Sequence, residues 1–215
     1  MRRNIAPIVA LIAIVLFVGG ADVRSAQLGK RSAKDWLERL ETKTRIDGMK
    51  IDEVVAALKL KPGDAVADIG AGTGLFSIPL AKAVGAKGKV FAVDIDQDLL
   101  DIIKDKAKKE NAANIQAVLG GFDDPTLPKG KVDLALLSDV LHHIEHRELY
   151  LKNLAVALKP KARVVVIDLL KGHANEPEMQ IKQDQVVEWM KGVGFRLSEE
   201  VKMFDDKFFV VFERK

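Results

Sequence analysis

A chain of 215 residues that is 48% hydrophobic holds enough apolar material for one well-packed domain and little for a second. Its 34 Lys and Arg against 31 Asp and Glu leave a net charge of +3, with both signs interspersed, so no basic block reads as a nucleic-acid tract. It contains no cysteine, which excludes disulfides, thiolate metal sites and every mechanism that needs a Cys nucleophile.

The chain opens with MRRNIAPIVALIAIVLFVGGADVRS, in which Arg2 and Arg3 precede an uncharged stretch from Asn4 to Ala21. That is the layout of a secretory signal peptide or an N-terminal membrane anchor. Small residues offer cleavage points after Ala21 and after Ser25. Residues 1–26 are therefore expected to be a leader or an anchor, with membrane association through residues 4–21. The domain behind them would be exported or membrane-anchored, and a cytoplasmic-facing placement stays open.

From Ser32 the texture becomes charged and periodic. Lys34–Glu41 places Trp36, Leu37 and Leu40 at helical spacing, and Ile51–Leu60 does the same with Ile51, Val54, Val55 and Leu58. Residues 27–60 thus read as N-terminal helices, and two roles stand for them: packing against the main domain, or a lid over the substrate. Lys-Pro-Gly-Asp at 61–64 stops the second helix and starts a strand.

Residues 61–215 then alternate. Strands are expected over Ala65–Ile69, Lys89–Asp94, Ile115–Leu119, Val132–Ser138 and Arg163–Asp168, with helices over Leu75–Val84, Gln97–Glu110, Arg147–Leu158 and Lys182–Val193. The runs VFAVD, VDLALLS and RVVVID are nearly continuous in apolar residues, as parallel strands covered on both faces must be. Two β-like segments, FRLSEEVKMF and KFFVVFERK, flank Asp205 and Asp206 with no helix between them, which predicts an antiparallel hairpin at the sheet edge. The expected fold is α/β: a doubly wound, mostly parallel seven-stranded sheet with a C-terminal antiparallel hairpin.

In such a sheet the ligand sits beyond the carboxyl ends of the strands, beside the loop after the first one. Here that loop is VADIGAGTG, Val66 to Gly74. A dinucleotide fingerprint is G-x-G-x-x-G; this chain reads Gly70, Gly72, Gly74, with Leu75 where the last glycine would stand. The pattern suits a cofactor whose amino-acid portion approaches the backbone, and it disfavours a nicotinamide oxidoreductase. Asp94 follows Gly74 by 20 residues at the end of the second strand, where a carboxylate can accept both ribose hydroxyls. Asp96, just ahead of QDLLDIIKDKAKKE, reads as a helix N-cap.

Taken together, VADIGAGTG, VFAVDID, GGFDDPTLP and VDLALLSDVLHHI, in that order and spacing, resemble the motifs of the class I S-adenosylmethionine-dependent methyltransferases, and the final hairpin is a hallmark of their Rossmann-like fold. The likeness covers roughly Ile51 to Lys215 and is nearest to the small-molecule branch that includes quinone-biosynthesis methyltransferases. It implies that Asp68 and the loop Gly70, Ala71, Gly72, Thr73 and Gly74 hold the methionine part of the cofactor, Asp68 facing its ammonium. It implies further that Asp94 takes the ribose, that Ile95 lies against the adenine, and that Asp123 accepts the adenine amino group with Phe122 meeting the ring. The family more often has GDA where this chain has GGF. Asp139, at the end of the fourth strand, would face the methyl end.

His142 and His143 follow that strand and could reach the reacting centre, where a histidine can serve as a general base near neutral pH. Against this stands the plainer reading in which one packs on the sheet and the other is solvated. Asp139 and Asp168 end neighbouring strands and could both touch a divalent cation, as in catechol-type methyltransferases, but Leu169 stands where that family has Asn, so no metal is expected. Cytosine-C5 and arsenite methylation as usually carried out need cysteine, and amino methylation of bases needs a D/N-P-P-aromatic motif that SDVLHHI replaces. The expected partner is therefore a small-molecule methyl acceptor, lipophilic if the chain is anchored, and not nucleic acid; the oligomeric state is left open. S-adenosylmethionine is a cytosolic metabolite, which sits uneasily with an exporting leader, so a non-catalytic exported or anchored binding module on the same fold stands as the alternative.

Overall fold

The computed structural model describes residues 32–170 and 180–215. The expected leader or anchor at residues 1–26 lies outside them. No helix among the described residues is long and apolar enough to cross a membrane.

Three short helices come first: α1 (Ala33–Leu40), α2 (Lys43–Met49) and α3 (Ile51–Ala57). α1 is closed by a reciprocal cap, Ser32 Oγ accepting the Asp35 N–H at 3.2 Å while the Asp35 carboxylate accepts the Ser32 N–H at 3.1 Å. α2 starts on Thr42, whose hydroxyl accepts the Arg45 N–H at 3.3 Å, and ends at Lys50, which turns the chain into α3 with φ +46. The second expected helix, Ile51–Leu60, stops three residues early, and α2 is a helix that the apolar spacing did not announce.

The sheet is built from β1 (Ala65–Ile69), β2 (Lys89–Asp94), β3 (Ile115–Leu119), β4 (Val132–Ser138), β5 (Leu158–Leu169), β6 (Phe195–Glu200) and β7 (Lys207–Arg214). Its order is β3-β2-β1-β4-β5-β7-β6, with β1 to β5 parallel and β7 antiparallel to both β5 and β6. The doubly wound, mostly parallel sheet with a C-terminal antiparallel hairpin is thus the observed fold. β6 forms the edge, and the last strand in sequence is inserted one place inside it. The crossovers are α4 (Ser77–Val84), α5 (Gln97–Lys109), α6 (Arg147–Ala157), preceded by a 3-10 turn at Leu141–His143, and α7 (Gln183–Gly192).

Two boundaries differ from expectation for identifiable reasons. α4 begins at Ser77 and not at Leu75, because the left-handed glycine loop has to be completed first. β5 begins at Leu158 and not at Arg163: Leu158 pairs with Val132, and the register shifts before Arg163 pairs with Leu134. The polar Lys159-Pro160-Lys161 falls in that irregularity, which hid the pairing from an apolar-run criterion.

Both faces of the sheet are covered. Ile69, Leu137, Val166 and Phe212 belong to one buried cluster with Leu151 and Leu154 of α6, and Val66, Leu136, Val165 and Phe209 to the other with Leu80 of α4 and Val54 of α3. This two-sided burial explains the unbroken apolar runs.

Candidate functional site

β1 lies between β2 and β4, so crossovers leave it in opposite directions and a crevice opens beyond its carboxyl end. The glycine loop borders that crevice. Gly70, Gly72 and Gly74 hold φ of +67, +56 and +81, a region that residues with a Cβ avoid. A Cβ on Gly70 would lie 2.3 Å from Val140 just after β4, and one on Gly74 would lie 3.0 Å from Ile103 of α5. The loop therefore follows its neighbours at backbone distance, and the Ala71 N–H anchors it by donating to the Val93 carbonyl at 2.9 Å.

Asp94 holds the loop from the other side. Its carboxylate accepts the Gly72 N–H at 2.8 Å and the Asp96 N–H at 3.1 Å, one on each oxygen. A carboxylate oxygen has a second lone pair, so two vicinal hydroxyls can still donate to it. Burial pushes this carboxyl up from its usual range, against the backbone donors of Gly72, Asp96 and Ile95. Asp96 caps α5 by accepting the Asp98 N–H at 2.9 Å, as its place in the sequence indicated.

Asp68 is buried at the end of β1, where the Ser77 hydroxyl donates to it at 2.6 Å. Burial raises its pKa to about 6; the charge on Asp94 adds to the rise and the Ser77 hydrogen bond opposes it. Thr73 Oγ1 is buried in the same loop without a hydrogen-bond partner among the described residues, while the Thr73 carbonyl accepts Lys106 Nζ at 2.9 Å.

Toward β3 the walls are apolar and open. Ile95 is 40% exposed and Phe122 is 58% exposed, and the Gly120 N–H donates to the Asp94 carbonyl at 2.9 Å, which ties the loop carrying Phe122 to the loop carrying Ile95. Asp123 is engaged at the surface: its carboxylate lies 2.8 Å from His146 Nδ1, and its carbonyl accepts from Asn153 Nδ2 at 2.8 Å. S-adenosylmethionine fits these groups. A buried carboxyl suits an ammonium, a carboxylate with spare lone pairs suits a diol, two exposed apolar side chains suit the faces of a base, and a hydroxyl without a partner among the described residues lies in the loop between.

The expected chemical residues separate. His142 is buried, its Nδ1 2.7 Å from Asp168 Oδ1, and its backbone N–H donates to Asp168 Oδ2 at 3.3 Å. His143 is exposed, with its ring 4.0 Å from that of His142. Arg147 fixes the turn by donating to the carbonyls of Leu141 and His142 at 3.2 and 3.0 Å. Asp139 takes no part in that group: Lys207 Nζ donates to it at 2.7 Å, and Arg45 approaches it at 3.6 Å. Asp139 and Asp168 thus face different partners, and among the described residues no three His, Asp or Glu side chains gather to hold a metal ion.

The N-terminal helices pack against the loop and the segments beside it. Trp36 Nε1 donates to Asp96 Oδ2 at 2.9 Å, Leu40 Cδ1 lies 3.3 Å from where a Cβ on Gly72 would stand, and Glu41 pairs with Lys106. Arg45, Lys207 and Lys106 were not singled out from sequence. Each is one cation among many, and its partner lies far along the chain, so spacing carries no signal for it.

Comparisons with known proteins bear on the same segment. Residues 66–161 match a family described as a methyltransferase domain. The chain is 36% identical over 110 residues to a 2-phytyl-1,4-naphtoquinone methyltransferase of Synechococcus elongatus, covering 51% of this chain and 47% of that protein. It is 28% identical over 112 residues to a ubiquinone/menaquinone biosynthesis C-methyltransferase of Vibrio vulnificus, covering 52% and 43%. The chain therefore spans about half the length of the curated relatives it matches. Among solved structures, a SAM-dependent methyltransferase from Aquifex aeolicus superposes with a TM-score of 0.77 at 24% identity, covering 86% of this chain and 100% of that one. Magnesium protoporphyrin IX methyltransferase from Synechocystis, solved with bound SAM, gives 0.62 at 24%, covering 79% and 80%. At these identities the superpositions speak for the fold.

Proposed function

We propose that the chain, whose residues 66–161 match a methyltransferase domain family, moves a methyl group from S-adenosylmethionine to a small-molecule acceptor. One observation carries the reading: Asp94 grips the left-handed glycine loop through the Gly72 N–H and keeps lone pairs for a ribose diol. The names of the relatives make quinone-derived rings the first acceptors to screen.

S-adenosylmethionine, when bound, supplies a methyl group already activated on a sulfonium. What remains for the protein is alignment and exclusion of water. The Gly70–Gly74 loop and Asp68 hold the amino-acid end, Asp94 the ribose, and Ile95 and Phe122 flank the base, while α1 covers the loop. Asp168 orients the buried ring of His142 by accepting from Nδ1–H. Asp139, engaged by Lys207 and Arg45, acts there as a counterion.

The test is calorimetry on the full chain with S-adenosylmethionine, S-adenosylhomocysteine and NAD. Micromolar affinity for the first two, about −8 kcal/mol, with none for NAD is expected. Asp94→Asn keeps one acceptor for the Gly72 N–H but loses the paired acceptance of a diol, and should weaken both by at least about tenfold. Unchanged affinity in that variant, or tight binding of NAD, would overturn the proposal.

A further inference from the structure

Two cations converge on one carboxylate where the chain leaves β4. Lys207, at the start of β7, and Arg45 of α2 both face Asp139, at 2.7 and 3.6 Å. The Asp139 and Lys207 side chains are only 10% and 11% exposed, and that of Arg45 is 36% exposed. Asp139 holds φ +52, a conformation that a residue with a side chain keeps when its surroundings impose it; its own N–H donates to the Ile167 carbonyl at 2.9 Å. The site adjoins the glycine loop, because the next residue, Val140, is the one that packs against Gly70.

Among the described residues the charges do not balance. Two positive groups share one negative group in a poorly solvated place, and the Arg45 contact is too long to be a hydrogen bond. Arg45 Nε is buried and meets no acceptor among the described residues. A buried guanidinium donor left unmet is costly, and a charge-assisted bond to an anionic oxygen is the interaction that satisfies it best.

We infer that Arg45 and Lys207 bind an anionic oxygen of the methyl acceptor, which is therefore a small molecule bearing a carboxylate or a hydroxyl acidic enough to bind as its oxyanion. This rests on the methyl-transfer reading and names its substrate class. Asp139 is the internal counterion with which the acceptor competes. A hydroxyl acceptor gives up its proton to solvent on binding, and the two cations stabilise the oxyanion that remains. The lone pair left on the oxygen is then available to form the new bond to carbon as the carbon–sulfur bond breaks and sulfur keeps that bond's pair.

The experiment uses the full chain saturated with S-adenosylhomocysteine and two matched pairs of probes: benzoate against benzamide, and 4-nitrophenol against 4-nitroanisole. Calorimetry gives the affinities, and the visible absorbance of the nitrophenolate reports ionisation on binding. Each anionic probe should bind at least about tenfold tighter than its neutral partner, and Arg45→Gln should remove that preference. Binding of benzoate alone points to a fixed carboxylate, and a nitrophenolate band at a pH where the free probe is still protonated points to an ionising hydroxyl; either supports the inference. Asp139→Asn removes the competing anion and should tighten both anionic probes. Because Lys207→Gln alone could disturb the packing of Asp139, it is made together with Asp139→Asn, and this pair should bind anions more weakly than Asp139→Asn does. Equal affinity for charged and neutral probes, or weaker anion binding in Asp139→Asn, overturns the inference while cofactor binding still stands. Failure of the parent chain to bind S-adenosylhomocysteine overturns the function on which it rests.

Discussion

At the end of β1, Asp68 is a carboxyl group that the fold keeps largely away from water and supplies with one hydroxyl donor, and the balance raises its pKa from 3.8 to about 6. The folded chain therefore retains a proton at pH values where the unfolded chain has lost it. The stability owed to protonated Asp68 is fully present below about pH 4 and is lost as pH rises through about 6, a difference of roughly 3 kcal/mol. Asp68→Asn keeps an acceptor for Ser77 and removes the buried charge. It is expected to melt higher than the parent at pH 7.5, with the gain shrinking toward pH 4.5; an equal shift at both pH values would mean that ionisation of Asp68 is not the cause. The same group predicts a cofactor effect of opposite sense. An ammonium beside Asp68 favours its ionised form, so S-adenosylmethionine should bind more tightly as pH rises from 5 to 7, and calorimetry should show a flatter profile in Asp68→Asn, the remaining slope belonging to Asp94, whose carboxyl is also raised by burial.

Among the elements, α1 has little stability of its own. Eight residues do not hold a helix in water, so its position depends on what it touches. It touches the glycine loop and its surroundings at three points: Leu40 over Gly72, Trp36 on Asp96 beyond β2, and, just past its end, Glu41 on Lys106 of α5, which also donates to the Thr73 carbonyl. If α1 must lift for ligand to leave, weakening one of these contacts should speed departure more than it lowers stability. Trp36→Phe deletes the hydrogen bond and keeps most of the apolar bulk, at a cost of about 1 kcal/mol. S-adenosylhomocysteine should then dissociate about fivefold faster in stopped-flow, and an unchanged rate would mean that α1 packs without gating. The sequence made α1 and α3 visible through their apolar spacing, and it exposed the glycine loop by its glycine spacing, Asp94 by its place at the end of the second strand and the Asp96 cap by its place just before a helix. It did not show α2, a seven-residue helix with Gly48 within it. Nor did it show the Arg45 and Lys207 pairs, which close over 94 and 68 residues; one packed and one solvated histidine was the plainer of its two readings, and the position of Asp168 beneath the turn decides that His142 is the buried ring.

At the scale of the whole molecule, the hairpin contributes to the cores on both faces of the sheet. β7 is inserted between β5 and β6, and its side chains alternate between the two faces: Phe208, Val210 and Phe212 join one buried cluster, Phe209 and Val211 the other. A strand attached loosely at the rim would contribute little to either. Here Phe209 and Phe212 are almost fully buried on opposite faces, and β7 pairs with β5 all the way from Arg163 to Leu169. Phe209→Leu and Phe212→Leu should each cost about 1 kcal/mol, a near volume-conserving change in a packed core. Because the two side chains have no cluster in common, their effects should add within about 0.5 kcal/mol in the double variant. Urea denaturation followed by far-UV circular dichroism and by tryptophan fluorescence should give one transition with an unchanged slope for all three variants, since Trp36 and Trp189 report from α1 and α7 at separate places in the chain. Two transitions, or costs that fall on only one of the probes, would mean that the hairpin unfolds independently and that the crevice is framed by the parallel strands alone.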